Sequence, residues 1–193
     1  RPYLSPHSDM VALLLLEHQS QLHNLLARAS MESRCAKYHD EGINAALGRP
    51  METVSESTQR RMARAADDLL KYLLMADERP LDSPIEGNTE FAKRFQSRAQ
   101  QYGQVDQRGR SLRDLDLQTR LFKYPCSYLI YSDAFRRLPQ QMYDLVRQKL
   151  WEILTAQQSP PGYERLCDTD RANILEILKD TMPELFAGLD ARS

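Results

Sequence analysis

MVALLLLEHQSQLHNLLARASMESRCA, residues 10–36, is the stretch on which the fold class turns. Val11, Leu14, Leu15, Leu22, Leu25, Leu26, Ala29 and Ala36 recur at steps of three and four. That spacing lines them along one side of a helix with 3.6 residues per turn. No proline falls between Pro6 and Pro50, and Gly42 is the only glycine before Gly48-Arg49-Pro50 closes the element. The pattern predicts one long helix, with Ser5 as its cap and Pro6 at the first helical position, where a missing N–H costs nothing. Only near Ser30 to Glu32 does the pattern loosen enough to admit a break.

The same period governs the sequence further along. Thr53-Val54-Ser55-Glu56 has the form of a capping box, followed by an apolar stripe of Met62, Ala66, Leu69, Leu70, Leu73 and Leu74. Asp77-Glu78-Arg79-Pro80 ends that helix. Asn88 is placed to cap a short third helix carrying Phe91 and Phe95, which stops at Tyr102-Gly103. The polar run Gln104–Arg110 reads as a loop, with a candidate hinge over 103–111. Ser111-Leu112-Arg113-Asp114 resembles a further cap, for a helix holding Leu112, Leu115, Thr119 and Phe122 until Pro125 breaks it. Residues 126–138 read as an apolar helix with Leu129, Ile130, Ala134 and Phe135, although Tyr, Ile and Cys also suit a strand. Pro139 starts a helix with Met142, Leu145, Val146, Leu150, Ile153 and Leu154 inward. Asp168 caps a last long one with Ala172, Leu175 and Leu178 inward, and Pro183 opens a short terminal turn. The expectation is an all-α protein: an irregular bundle of six to seven helices without significant sheet, in a single domain spanning 1–193.

Composition narrows the class. The chain has 193 residues, 41% hydrophobic, with 26 Lys+Arg against 27 Asp+Glu, which is incompatible with wholesale disorder or a collagen-like chain. The longest apolar run, Met10 to Leu16, falls far short of the ~20 residues that span a bilayer. Cys35, Cys126 and Cys167 are too few for a disulfide scaffold. They fit three buried thiols or one disulfide with a free thiol. No C-x-x-C or C-x-x-C-H occurs. The sequence starts at Arg1, which is expected of a piece of a longer or processed protein.

Charge is unevenly placed. Residues 91–149 hold 12 basic and 5 acidic side chains, a balance of +7, whereas the flanks carry 14 basic and 22 acidic, or −8. Arg108, Arg110, Arg113 and Arg120 are the candidate face for an acidic protein partner. Without a nucleic-acid-binding motif, and with a total charge near zero, nucleic acid is not an expected partner.

All four histidines, His7, His18, His23 and His39, lie in the first 39 residues. His18 falls inside the apolar stripe. A buried imidazole needs partners for its ring nitrogens, and these are a polar side chain from another helix or a metal or haem iron. Glu32, Cys35 and His39, at i, i+3 and i+7, share a side of the same helix and complete the candidate metal set with His18. His18 and His39 stand roughly 30 Å apart on a straight helix, so one ion cannot hold both. No H-E-x-x-H, P-loop, G-x-G-x-x-G or G-x-S-x-G motif occurs, and no catalytic residue is nominated. Tyr124, Tyr128 and Tyr131 with Ser127 and Ser132 form a polar seam that suits packing with hydroxyls turned to partners.

Three stretches carry a resemblance: Pro2 to Asp9 with Leu16-Glu17-His18-Gln19, Tyr124-Pro125-Cys126-Ser127-Tyr128-Leu129-Ile130-Tyr131-Ser132, and Ser111 to Asp116. Together they resemble uncharacterised, exported bacterial helical proteins associated with c-type cytochromes. The resemblance implies a periplasmic setting and a redox association. It assigns no activity and no residue roles. The functional expectation is a non-enzymatic scaffold or interaction domain of an exported bacterial protein, without a cofactor and with an acidic or cytochrome-type partner. The alternative is a redox-associated bundle holding haem, iron or zinc, with His18 as a ligand.

Overall fold

The structure, a computed structural model, describes residues 9–86 and 89–189. Its first helix, α1 (Met10–Leu47), is 38 residues long, about 57 Å at the usual rise per residue. Asp9 caps it, with Oδ1 accepting the N–H groups of Val11 and Ala12 at 3.0 and 3.3 Å. The predicted Ser5 cap, the Pro6 start, His7 and the Asn88 cap lie outside the described residues. α1 runs unbroken through Ser30 to Glu32 and ends at Gly48, whose φ of 63° is the left-handed conformation a glycine adopts freely.

α2 (Glu56–Leu73) folds back along α1. Asp40 accepts the Ser55 N–H at 2.9 Å, Thr58 donates to the Ala36 carbonyl, Arg61 bonds Glu32, Arg28 pairs with Asp68, and Tyr72 stacks on His18. Partners fall in number on α1 as they rise on α2, so the two helices are antiparallel. Ser55, rather than Thr53, is the cap, its Oγ accepting the Thr58 N–H at 3.2 Å. Asn44 clasps the connecting turn by donating to the carbonyls of Thr53 and Met51 at 2.8 and 3.3 Å.

α3 (Thr89–Gln101), α4 (Asp133–Arg136), α5 (Gln140–Thr155) and α6 (Asp168–Thr181) follow, with 3-10 turns at Tyr128–Tyr131 and Pro183–Phe186. The protein is an all-α, irregular bundle. Among the described residues the only β-type pairing is a single bridge between Leu115 and Phe122. One core unites the two long helices with the middle segment and α5–α6, through Leu22, Leu26, Leu69, Leu70, Phe122, Phe135, Met142 and Phe186, all fully or almost fully buried.

The predicted helices over 111–138 need correction. Residues 111–125 form an irregular loop instead. Ser111 Oγ accepts the Arg113 N–H, Asp114 accepts the Ser111 N–H, and Asp116 accepts the Thr119 N–H. These short-range bonds offer the backbone an alternative to helical pairing, and a tight turn at Leu117, φ 62°, reverses the chain. Residues 126–138 break into one 3-10 turn and one four-residue helix, because Ser127 and Ser132 cap new turns within the run. Smaller adjustments follow the same logic. Pro139 precedes α5, Cys167 caps α6 through its sulfur, and the buried side of α6 is Ile174, Ile177 and Leu178, with Ala172 exposed. Only Cys126 is buried; Cys35 and Cys167 are exposed, and all three are free thiols.

Candidate functional site

His18 reaches the interior from the apolar stripe of α1 and is 7% exposed. Its Nε2 lies 2.6 Å from Ser127 Oγ. The ring stacks on Tyr72 at 5.4 Å between centroids and tilts against Phe122 at 5.2 Å. Ser127 in turn donates its N–H to the Leu73 carbonyl at 2.8 Å and accepts the Leu129 N–H on Oγ at 3.2 Å. It therefore ties α1, the end of α2 and the 3-10 turn together. The His18–Ser127 spacing is that of a base and its nucleophile. Ser127 is fully buried, however, so no substrate reaches its oxygen, and the bond serves to fix the imidazole. Burial pulls the imidazole down from 6.5 to about 4, so it is neutral at pH 7.

The other ring nitrogen, Nδ1, bonds to no group among the described residues. Asp40 Oδ1 is the one fully enclosed side-chain polar atom without a partner among the described residues, so Nδ1 meets solvent. It does so at a cleft of about 390 Å³ between α1, α2 and the turn after α2. Leu25, Tyr72 and Met75 supply its apolar wall, and Asp68, Asp77, Glu78 and Lys71 its charges. Met75 takes a φ of 52°, unusual for a residue with a side chain, and this bend carries Asp77 and Glu78 to the rim. Burial raises the Glu78 carboxyl above its ordinary range and the Tyr72 hydroxyl likewise.

Three of the four arginines of the cationic segment pair with the chain's own acids, and the fourth, Arg113, lies over aromatic rings. Arg110 bonds Asp106 and Glu176, each at 2.7 Å, and Asn173 at 2.7 Å. Arg108 pairs with Glu176 at 2.8 Å, and Arg120 holds Asp170 with two bonds of 2.8 and 3.0 Å. Arg113 lies over the rings of Tyr128 and Phe95, at 4.2 and 4.9 Å from their centroids. Burial by itself would raise the Asp106 carboxyl, but Arg110 outweighs it and holds that group below the usual carboxylate range. Arg108, Arg110 and Arg120 thus clamp the segment onto the acidic α6, with Arg108 still largely exposed.

No family model, curated protein or solved structure matches the chain. Function is therefore read from the geometry. Of the candidate metal set, His18 is in the cleft, while Cys35 and His39 line an open groove farther along α1 with Tyr38 and Met51. Glu32 turns to Arg61, 2.7 Å away. The four are not brought together, and among the described residues no three His, Cys, Asp or Glu side chains gather as a metal site requires. The sequence did not reveal Tyr72, Asp77 and Glu78 as site residues, because it presents them as a helix end. The signal that pointed to the site was the polar ring of His18 inside an apolar stripe.

Proposed function

We propose that the chain is a non-enzymatic helical scaffold or interaction domain that assembles through the outer face of α1. The observation carrying this reading is a stripe opposite the buried side of α1 that is left exposed among the described residues. Met10, Leu13, Ser20, Asn24, Ala27, Met31, Arg34 and Tyr38 recur along it at helical spacing and are all exposed, Tyr38 at 80% and Met31 at 65%. Its order is self-complementary about a centre between Asn24 and Ala27. With a second α1 laid antiparallel, Glu17 faces Arg34, Leu13 faces Tyr38, and small Ser20 and Ala27 allow close approach. Each contact then occurs twice, as a two-fold interface demands. The occupant is a second copy of this chain. An exported setting beside a cytochrome-type protein belongs to the same proposal and is supported by the resemblance of Pro2 to Asp9, Leu16 to Gln19, Ser111 to Asp116 and Tyr124 to Ser132, while an acidic partner is supported by the +7 balance of residues 91–149.

A haem- or metal-binding role for His18 has one free imidazole nitrogen in its favour and no second ligand beside it among the described residues. Sedimentation equilibrium tests the leading reading. The unaltered chain is expected to dimerise at micromolar concentrations, and Met31→Glu with Tyr38→Glu to sediment as a monomer with an unchanged melting temperature. A monomeric parent, or a dimer that survives both substitutions, removes this face as the interface.

A further inference from the structure

We infer that the cleft beside His18 binds a small organic cation, an amine joined to an apolar or aromatic body. The inference rests on observations separate from the outer face of α1. The cleft volume of about 390 Å³ lies within the range of small-molecule sites. The unbonded Nδ1 of a side chain more than nine-tenths buried opens into it, while the other nitrogen is held by Ser127 at 2.6 Å. The imidazole is thus positioned, with a hydrogen-bonding site facing the cleft and no group among the described residues using it.

The charges select the sign of the ligand. Asp68, Asp77 and Glu78 face one lysine, Lys71. Asp68 is partly neutralised by Arg28 at 3.4 Å, and the stem of Lys71 lies against Gly162, whose Cβ position would be 3.4 Å from Lys71 Cε. Asp77, exposed at the rim, is the carboxylate open to an ammonium group; Glu78 beside it is half-buried, accepts the Leu121 N–H and faces Arg120. Leu25, Tyr72 and Met75 form a wall whose aromatic ring, stacked on the imidazole, suits an apolar body with a cationic end. An anion would meet the excess carboxylate charge at the rim.

Phenethylamine is the test probe, with hydrocinnamate as the anion of similar shape. Side-chain NMR of His18 and isothermal titration read the binding. The expected result is a saturable shift of the His18 ring signals with the amine, none with the carboxylate, and at least a tenfold weaker dissociation constant in Asp77→Asn with Glu78→Gln. Asp77 is exposed and Glu78 half-buried, and thermal unfolding confirms that the variant is folded. Absence of a saturable His18 shift overturns the inference, as does equal binding of hydrocinnamate or undiminished affinity in the double variant. Binding of haemin instead of the amine, with a Soret shift lost in His18→Gln, overturns it too and reassigns the cleft to haem.

Discussion

Acidification isolates the cost of burying His18. The imidazole titrates at 6.5 when free and at about 4 in the folded chain. One pH unit of such displacement corresponds to about 1.4 kcal/mol, so keeping the ring neutral is linked to about 3 kcal/mol. The sign follows from proton counting. Between about pH 6.5 and 4 the unfolded chain holds a proton on this residue that the folded chain does not, and stability therefore falls as pH falls through that window. Below it both states are protonated and the effect levels off. Asp68, Asp77 and Glu78 also face the cleft, so the parent is compared with His18→Gln, which retains them and can still bond Ser127. Urea unfolding at half-unit pH steps gives the difference between the two stabilities. That difference should favour the parent at pH 7 and move towards the variant with a slope of one proton down to about pH 4. A difference independent of pH would show that the ring is not buried neutral against Tyr72 and Phe122, and the account of the site would fail with it.

Two further perturbations probe the clamps. Arg120→Met leaves the nearly buried Asp170 without its two guanidinium bonds, and a loss of about 3 kcal/mol is expected by chemical denaturation. Restoring part of it with Asp170→Asn in the same chain would show direct coupling, and strict additivity would refute it. Asn44→Leu strips the carbonyls of Thr53 and Met51 of their donor and should cost about 1–3 kcal/mol. An unchanged melting temperature would mean that the α1–α2 turn does not depend on the clasp.

How legible the molecule was depended on where each segment finds its partners. α1, α2, α5 and α6 announce themselves because their burial repeats with the helical period, and the stop at Gly48 needs only one glycine. Residues 111–138 do not, since Ser111, Asp114 and Asp116 satisfy backbone groups locally while Leu112, Phe122 and Ile130 are buried by elements far away in sequence. The site divides in the same manner. An imidazole in the apolar stripe stood out in the sequence. Its mate, Ser127, lies 109 residues away, and nothing local distinguishes that serine from Ser132. The arginines were legible as a charge excess, but their engagement with Glu176 and Asp170 was not, because no spacing rule links them.

The clamp between the cationic segment and α6 also has a consequence for the order of events during synthesis. A chain made from its N-terminus releases Arg108, Arg110 and Arg120 well before Asp170 and Glu176 exist to receive them. For that interval Arg108 and Arg120 lack their carboxylate partners and Arg110 has Asp106 alone, so the stretch carries more open positive charge than in the folded chain. The last quarter of the chain thus acts as a late-arriving counterweight. A polypeptide truncated before α6 would keep both long helices and shift its balance from −1 to +2, with Arg108 and Arg120 left without their carboxylate partners.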